Sequence, residues 1–212
     1  MIEFKLSKDG NRIFLWNGRQ LCSSYAPIDE AKNWVQKSLP KLFPEKTLII
    51  LGLGNGYHVA EVLSQFPEKK IIVINDLPEI VTVASEIIGL RSGLVNIISA
   101  TRVEELVSSS EFTKIFKNSF RVVRFFPATA LHIDFFSAMK DLLRGRTYSS
   151  LMFHLSMREK NIRSLFHEDV YEQKTEKGLQ LLDFKKITKS SFENNDLNTN
   201  FHVVQILREL MK

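Results

Sequence analysis

The sequence has little with which to build a disulfide-stabilised or metal-centred protein. Among 212 residues there is one cysteine, Cys22, so neither a disulfide within the chain nor a cysteine-based metal site can be built. The five histidines show no paired ligand spacing. The first residues lack the basic-then-apolar layout of a signal peptide, and no stretch reaches the roughly 18 consecutive apolar residues of a membrane span. These absences predict a protein of the reducing cytoplasm with no metal and no membrane partner.

The charge of the chain does not favour a nucleic-acid partner. The formal net charge is +5, from 29 Lys and Arg against 24 Asp and Glu. The basic residues are scattered and are not interleaved with aromatic residues, so we interpret them as a solvated surface. Hydrophobic residues make up 44% and charged residues 25%, which is the balance of an ordinary soluble globular protein.

The first 25 residues differ from the rest of the chain. Two short runs with partial alternation, Ile2–Leu6 and Arg12–Trp16, are joined by a segment that contains an Asp-Gly pair. Such a pair between two short strands is typical of a hairpin. With a third run at Gln20–Ser24, the pattern predicts a small β-meander over residues 1–25.

The centre of the chain alternates apolar runs of strand length with amphipathic stretches of helical length. The predicted strands are Thr47–Leu53, Lys70–Asn75, Val95–Ser99 and Arg121–Phe126, and the predicted helices include Gly56–Phe66 and Leu131–Arg144. Strands separated by helices form a mostly parallel sheet. We therefore predict a Rossmann-like, doubly wound α/β domain over residues 26–170, followed at 171–212 by a polar loop and an amphipathic helix.

A glycine-rich turn lies between the first of these strands and its helix. Its glycines are Gly52, Gly54 and Gly56, a G-x-G-x-G pattern. In such a unit the first glycine permits the turn, the next lets a ligand approach the backbone, and the third lets the helix pack close to the strand. The spacing is closer to the turn of S-adenosylmethionine-dependent methyltransferases than to that of NAD enzymes. The alternative is that the glycines serve packing alone.

The residues around the turn complete a predicted ligand site. Asn55 lies within the turn, and Tyr57 and His58 could reach a ligand from the first helical turn, although a packing tyrosine and a surface histidine are the simpler interpretation. Asp76 follows the next strand at the spacing of an acid that grips ribose hydroxyls, and Asn75 precedes it. S-adenosylmethionine and a nucleotide are the candidate ligands.

Several segments together resemble the N-terminal region of the bacterial motility-associated factor (Maf) proteins. The segments are Ser23–Ala31, Leu51–Val59, Ile71–Ile74 and Pro78–Ile80, and the resemblance spans roughly residues 20–145. That family is associated with cytoplasmic transfer of nonulosonic acids onto flagellin.

The resemblance implies a module without the transferase chemistry. In the family this chemistry belongs to a following domain with its own glycine-rich turn, and no such turn follows residue 145 here. The expectation is a non-catalytic accessory protein that binds a nucleotide-like ligand, flagellin or another protein of surface glycosylation or motility. Members of that family usually carry a glutamate where this chain has Asn75. The alternative is a small-molecule methyltransferase, although Ile50 stands where many such enzymes carry an acid, and no catalytic residue can be named.

Overall fold

The computed structural model of the chain describes residues 1–89, 93, 95–117 and 119–144. Its strands are β1 (Ile2–Leu6), β2 (Arg12–Trp16), β3 (Arg19–Gln20), β4 (Thr47–Leu51), β5 (Lys70–Asn75), β6 (Val95–Ser99) and β7 (Phe120–Arg124). Its helices are α1 (Pro27–Ser38), α2 (Tyr57–Gln65), α3 (Val81–Ile88), α4 (Val103–Val107), α5 (Ser110–Thr113), α6 (Phe126–Thr129) and α7 (Ile133–Arg144), with 3₁₀ turns at Pro78–Ile80 and Lys114–Lys117.

Within these residues, four strands form a parallel sheet in the order β6–β5–β4–β7. The central strand β4 pairs with β5 on one side and β7 on the other, so that Leu48 lies opposite Ile71 and Arg121. The chain thus builds outward from β4 in one direction and then returns to its other side. Helices flank this sheet, and the predicted Rossmann-like α/β fold is confirmed. In sheets of this kind ligands bind beyond the carboxyl ends of the strands, where the strand order reverses.

The predicted N-terminal meander is also present. β1 and β2 form an antiparallel hairpin in which Ile2 lies opposite Trp16. The third strand, β3, has two residues at Arg19–Gln20 and pairs with the end of β2, so the run predicted at Gln20–Ser24 is not a strand beyond Gln20. Gly10 in the connecting turn has a φ of +81°, a left-handed conformation that a residue without a Cβ adopts at little cost.

The core explains why the sequence of β4 is a continuous apolar run. All five residues of β4 are buried, as expected of a parallel strand that is covered on both faces. Residues of the meander, of α1 to α3 and of the central strands belong to one apolar cluster: Phe14, Leu21, Val35, Leu39, Leu48, Ile50, Leu53, Val59, Val62, Ile71, Val73, Ile80, Ala84 and Ile88. The meander therefore shares its core with the parallel sheet.

The chain divides into two compact units. The first comprises Met1–Phe112 and Asn118–Ser137, and the second comprises Thr113–Lys117 and Ala138–Lys212. All the candidate site residues lie in the first unit. The predicted boundaries at residues 25 and 170 stay predictions, and the predicted C-terminal segment 171–212 lies outside the described residues.

Element boundaries differ from the predicted ones chiefly beside the site. The strands Lys70–Asn75 and Val95–Ser99 are found as predicted, and the helix after Pro78 begins as a 3₁₀ turn. The fourth parallel strand, however, ends at Arg124, and Phe126 already begins α6. Proline at the first turn of a helix is favourable, and Pro127 occupies that place in α6. Among the described helices, none has the length and apolar character needed to cross a bilayer.

Candidate functional site

The glycine turn connects the end of β4 to α2 at the carboxyl edge of the sheet. Gly52, Gly54 and Gly56 have φ values of +94°, +47° and +90°, so each has a backbone conformation that favours glycine. The amide of Gly52 donates to the carbonyl of Ile74 at 2.9 Å, which ties the turn to the end of β5. The predicted residues of the turn and of the β5 end are therefore brought to one edge.

The chain itself fills the space beside the first two glycines. A Cβ at Gly52 would lie 2.8 Å from Thr129 Cγ2 and 2.9 Å from Ala128 Cβ. A Cβ at Gly54 would lie 2.7 Å from the carbonyl oxygen of Leu21. The atoms that approach these glycines closely therefore belong to α6 and to the carbonyl group of Leu21, which follows β3.

The third glycine lets two helices approach each other. A Cβ at Gly56 would lie 2.8 Å from Ile88 Cγ1 and 2.9 Å from the carbonyl oxygen of Ala84, both in α3. Since Gly56 directly precedes α2, its missing side chain allows the start of α2 to pack against α3. The sequence pattern predicts close packing of the helix on the strand at this position, whereas the neighbour found beside Gly56 is a second helix.

Asn55 and Tyr57 join the turn to the meander. Asn55 is fully buried, and its Nδ2 donates to the carbonyl of Phe14 at 3.2 Å, while its Oδ1 has no hydrogen-bond partner among the described residues. The hydroxyl of Tyr57 donates to the carbonyl of Arg12 at 2.6 Å. Burial raises the pKa of the Tyr57 phenol. Both side chains therefore donate hydrogen bonds to the backbone of β2.

His58 is buried beneath the turn, and the interpretation of it as a surface histidine is wrong. Its Nε2 donates to the carbonyl of Gly52 at 3.0 Å, because a carbonyl oxygen can only accept. Its ring stacks on Phe125 at 3.8 Å between centroids and meets Trp34 edge-on at 5.2 Å. Burial lowers the pKa of His58 to about 3, so the imidazole is neutral in the folded protein.

The two predicted residues at the end of β5 have different partners. Asn75 is buried, and its Nδ2 donates to the carbonyl of Leu77 at 2.6 Å and to Ser99 Oγ at 3.3 Å, which joins the ends of β5 and β6. Asp76 is buried as well, and its Oδ2 accepts a hydrogen bond from Nδ1 of His132. Burial raises the pKa of the Asp76 carboxyl, an effect that the hydrogen bond from His132 opposes.

The sequence reasoning missed His132, which is the exposed partner of Asp76. Its side chain is 45% exposed, whereas that of Asp76 is 4% exposed. The ring of Trp16, at the end of β2, meets the imidazole edge-on at 6.1 Å between centroids. Trp16 Nε1 in turn donates to Glu79 Oε1 at 2.6 Å. We call Trp16, Asp76, Glu79 and His132 the edge cluster.

Comparison with known proteins adds no relative. The chain matches no family model, no curated protein and no solved structure. The resemblance to the Maf N-terminal region therefore stays a prediction, and the fold is established here from strand order and direction.

One further polar group lies at the end of β7, next to the glycine turn. Arg124 Nε donates to Thr129 Oγ1 at 2.6 Å, and its buried Nη2 has no hydrogen-bond partner in the part of the chain that the structure describes. The same residue's carbonyl accepts from Trp34 Nε1 at 3.0 Å. Arg124 thus fixes Thr129, whose methyl group covers Gly52. In the part of the chain that the structure describes, no group of three or more metal-ligating side chains is found.

Proposed function

We propose that the chain is a non-catalytic, Rossmann-like accessory module that binds a protein partner in bacterial surface glycosylation or motility. The observation that carries the proposal is the filled glycine turn. Gly52 and Gly54, where a ligand would approach the bare backbone, face Thr129, Ala128 and Leu21 of the same chain. An enzyme that uses this turn for its cofactor needs that space. The pathway and a cytoplasmic location rest on the resemblance to the Maf N-terminal region and belong to the proposal.

The hydrogen bonds around the turn support the same proposal. Three buried side-chain N–H groups donate to carbonyls of the chain itself, namely those at Asn55 Nδ2, His58 Nε2 and Asn75 Nδ2. A ligand that recruited these groups would have to break existing hydrogen bonds in a buried place, where an unpaired polar group is costly. Of the partners predicted from the sequence, a nucleotide-like ligand and a protein such as flagellin or a transferase, the filled turn favours the protein.

The methyltransferase alternative is supported by the position of Asp76 at the carboxyl end of β5. In that interpretation the carboxylate grips the ribose of S-adenosylmethionine. The carboxylate is buried, however, and already accepts a hydrogen bond from His132. The alternative therefore requires a rearrangement at both the turn and the end of β5.

Thermal unfolding of the full chain separates the two functions. A ligand that binds only the native state, at about 100 times its Kd, raises the free energy of unfolding by about 2.7 kcal/mol. For a chain of this size that corresponds to a rise in Tm of about 2–4 °C per kcal/mol. We expect no rise with S-adenosylmethionine, S-adenosylhomocysteine or CMP. A clear rise with S-adenosylmethionine, the methyl donor, or with S-adenosylhomocysteine, its demethylated product, would favour the methyltransferase.

The accessory role also makes a positive prediction. The tagged full chain, recovered from cells of its source, should carry flagellin or a glycosylation enzyme in a fixed ratio, and size-exclusion chromatography of the purified pair should reproduce the complex. Recovery of the chain alone, together with a failure of the purified proteins to associate, would contradict the proposal.

A further inference from the structure

The edge cluster contains an imidazole nitrogen, Nε2 of His132, that is held in one orientation but has no hydrogen-bond partner among the described residues. His132 donates from Nδ1 to the buried carboxylate of Asp76, which in the neutral ring leaves the lone pair on Nε2. No residue in the described part of the chain forms a hydrogen bond with Nε2, and the side chain is 45% exposed. The imidazole therefore presents a hydrogen-bond acceptor to solvent in a fixed orientation.

A second acceptor and an aromatic ring lie next to it. Trp16 contacts the imidazole of His132 and donates from Nε1 to Oε1 of Glu79. The other carboxylate oxygen of the exposed Glu79 has no hydrogen-bond partner among the described residues. Two acceptors, one on an imidazole and one on a carboxylate, thus adjoin a half-buried indole ring.

The charges of the cluster select against anionic ligands. Asp76 and Glu79 both contribute negative charge, and Glu79 raises the pKa of the Asp76 carboxyl by repulsion. No described Lys or Arg side chain pairs with either acid. Phosphate and carboxylate groups would therefore be repelled, whereas groups that donate hydrogen bonds would be accepted.

A hydroxyl group suits the imidazole better than an ammonium group does. A hydroxyl donates to Nε2 when the ring is neutral and accepts from it when the ring is protonated, so it is compatible with both states. An ammonium ion can only donate, so it is compatible with the neutral ring alone. The C–H faces of a sugar ring also suit an indole, which presents an apolar surface with a polar edge.

We propose that Trp16, Glu79 and His132 form a binding site for a neutral polyhydroxylated ring of the pentose or hexose class, and that Asp76 is the positioning residue for His132. The hydroxyls donate to Nε2 of His132 and to the free carboxylate oxygen of Glu79, and the ring lies against Trp16. This site does not use the glycine turn, and it goes beyond the accessory role because it holds whether or not that role is correct.

The two tryptophans provide a direct measurement. The chain contains Trp16 and Trp34 only, and Trp34 Nε1 is occupied by the carbonyl of Arg124. In a titration of the ¹⁵N-labelled full chain with D-ribose, the indole N–H resonance of Trp16 should shift and saturate, with a Kd on the order of millimolar for a few exposed hydrogen bonds. The Trp34 resonance should stay in place. A parallel titration with uridine distinguishes a free sugar from a sugar carried by a nucleoside, which adds shifts elsewhere.

Variants assign the binding to the cluster. His132→Phe keeps a ring but removes both nitrogens, and it should weaken ribose binding by about tenfold, the loss that one good hydrogen bond produces. Glu79→Leu should weaken it similarly and serves as an independent variant. Asp134→Asn is the matched control, because Asp134 is exposed and close to His132 in the chain but is not part of the cluster, and it should bind as the unmodified chain does.

The positioning role of Asp76 has its own signature. When the imidazole is neutral, its ¹⁵N shifts in the unmodified chain should show a proton fixed on Nδ1 and none on Nε2, and in Asp76→Asn the two shifts should move toward averaged values. The proposal is overturned if the Trp16 resonance does not respond to ribose, if His132→Phe and Glu79→Leu bind as well as the control, or if inorganic phosphate or methylammonium shifts that resonance more strongly than ribose.

Discussion

The ends of β4 and β5 lie side by side at the carboxyl edge of the sheet, and they differ in what covers them. After β4, the glycine turn is buried under α6 and under the carbonyl of Leu21. After β5, buried Asp76 holds His132, whose imidazole remains exposed. A glycine pattern indicates only that something approaches the backbone closely. Here that neighbour is the chain itself, and the open polar groups lie one strand away.

The largest expected contrast is between the reactivities of one side chain in each region. Cys22 adjoins the residue that covers Gly54, and burial raises the pKa of its thiol to about 12. Because the thiolate is the reactive form, native Cys22 should react with a maleimide about a thousandfold or more slowly than a short cysteine peptide. His132 should be carbethoxylated readily by diethyl pyrocarbonate, as measured by peptide mass spectrometry.

Denaturant supplies the control for both reagents, since unfolding should bring Cys22 to the rate of the peptide. Buried His58 should resist carbethoxylation in the native protein and react only on unfolding. Rapid labelling of native Cys22 would mean that the cover over the glycine turn opens readily, which would restore the turn as a ligand site.

The next largest effect concerns the glycines themselves. Gly52→Ala introduces a Cβ at a φ of +94° and within 3 Å of Thr129 and Ala128. Backbone strain and overpacking together should lower the free energy of unfolding by about 3–5 kcal/mol in urea denaturation. Gly10→Ala is the matched control, because its φ is +81° and nothing lies within 4 Å of the new Cβ.

Gly10→Ala should lower the free energy of unfolding by about 1 kcal/mol, because it introduces backbone strain alone. The difference between the two variants therefore measures how tightly the chain packs on the turn. Equal losses would mean that α6 moves aside at little cost, and the comparison between a closed and an open strand end would fail.

Most of the fold could be predicted because the local pattern of apolar residues indicates where the strands lie. A parallel strand covered on both faces is a continuous apolar run, and β5, which is buried after its first residue, was predicted at its observed boundaries for that reason. β6 was also predicted at its observed boundaries, although it lies at the edge of the sheet and most of its residues are only half-buried. The end of β7 was not, because Phe125 and Phe126 extend the apolar run although one is buried and the other is 62% exposed. Exposure of that kind depends on tertiary packing, which a local pattern does not contain.

The site was harder to predict than the fold, because its residues come from distant parts of the chain. Asp76 has a local signal, its place after a buried strand. His132 and Trp16 have none, since their pairing with Asp76 and with each other exists only after the meander and α6 have packed onto the sheet. The available signal was that the segment after β7 must also meet this edge, and histidines there could have been considered with Asp76.

A moderate, pH-dependent effect should come from His58. His58→Leu removes the donor to the Gly52 carbonyl, which should lower the free energy of unfolding at pH 7 by about 1–3 kcal/mol. The folded chain binds a proton at His58 only near pH 3, whereas the unfolded chain binds one near the ordinary pKa of 6.5. The stability of the unmodified protein should therefore be fully present above about pH 6.5 and fall below it, by up to about 1.4 kcal/mol per pH unit from this group.

His58→Leu lacks the imidazole, so its stability should not fall in this way as the pH is lowered. Measured from pH 7 down to pH 4, the difference in stability between the two proteins should shrink and then reverse. A constant difference over that range would show that His58 takes up a proton in the folded state, and hence that the buried turn admits water.

The smallest effect on the free energy of unfolding is expected from a substitution of Asp76, at the end of β5 where the exposed imidazole lies. Burial raises the pKa of the Asp76 carboxyl, so the folded state favours the protonated form. The stability that this group contributes is present below its ordinary pKa of 3.8 and is lost as the pH rises through the folded pKa. Asp76→Asn should therefore change the free energy of unfolding at pH 7 by no more than about 1 kcal/mol, because an amide oxygen is a weaker acceptor for His132 than a carboxylate, and this loss offsets relief from the buried charge.

As the pH is lowered toward 4, the unmodified protein should gain stability relative to Asp76→Asn, which is the opposite of the trend at His58. Asp134→Asn, which changes an exposed carboxyl outside the edge cluster, should show no such trend. A large loss of stability in Asp76→Asn at pH 7 would mean that the bond to His132 holds the edge of the sheet together. The edge cluster would then be as structural as the glycine turn, because the exposed imidazole would be a by-product of a packing contact.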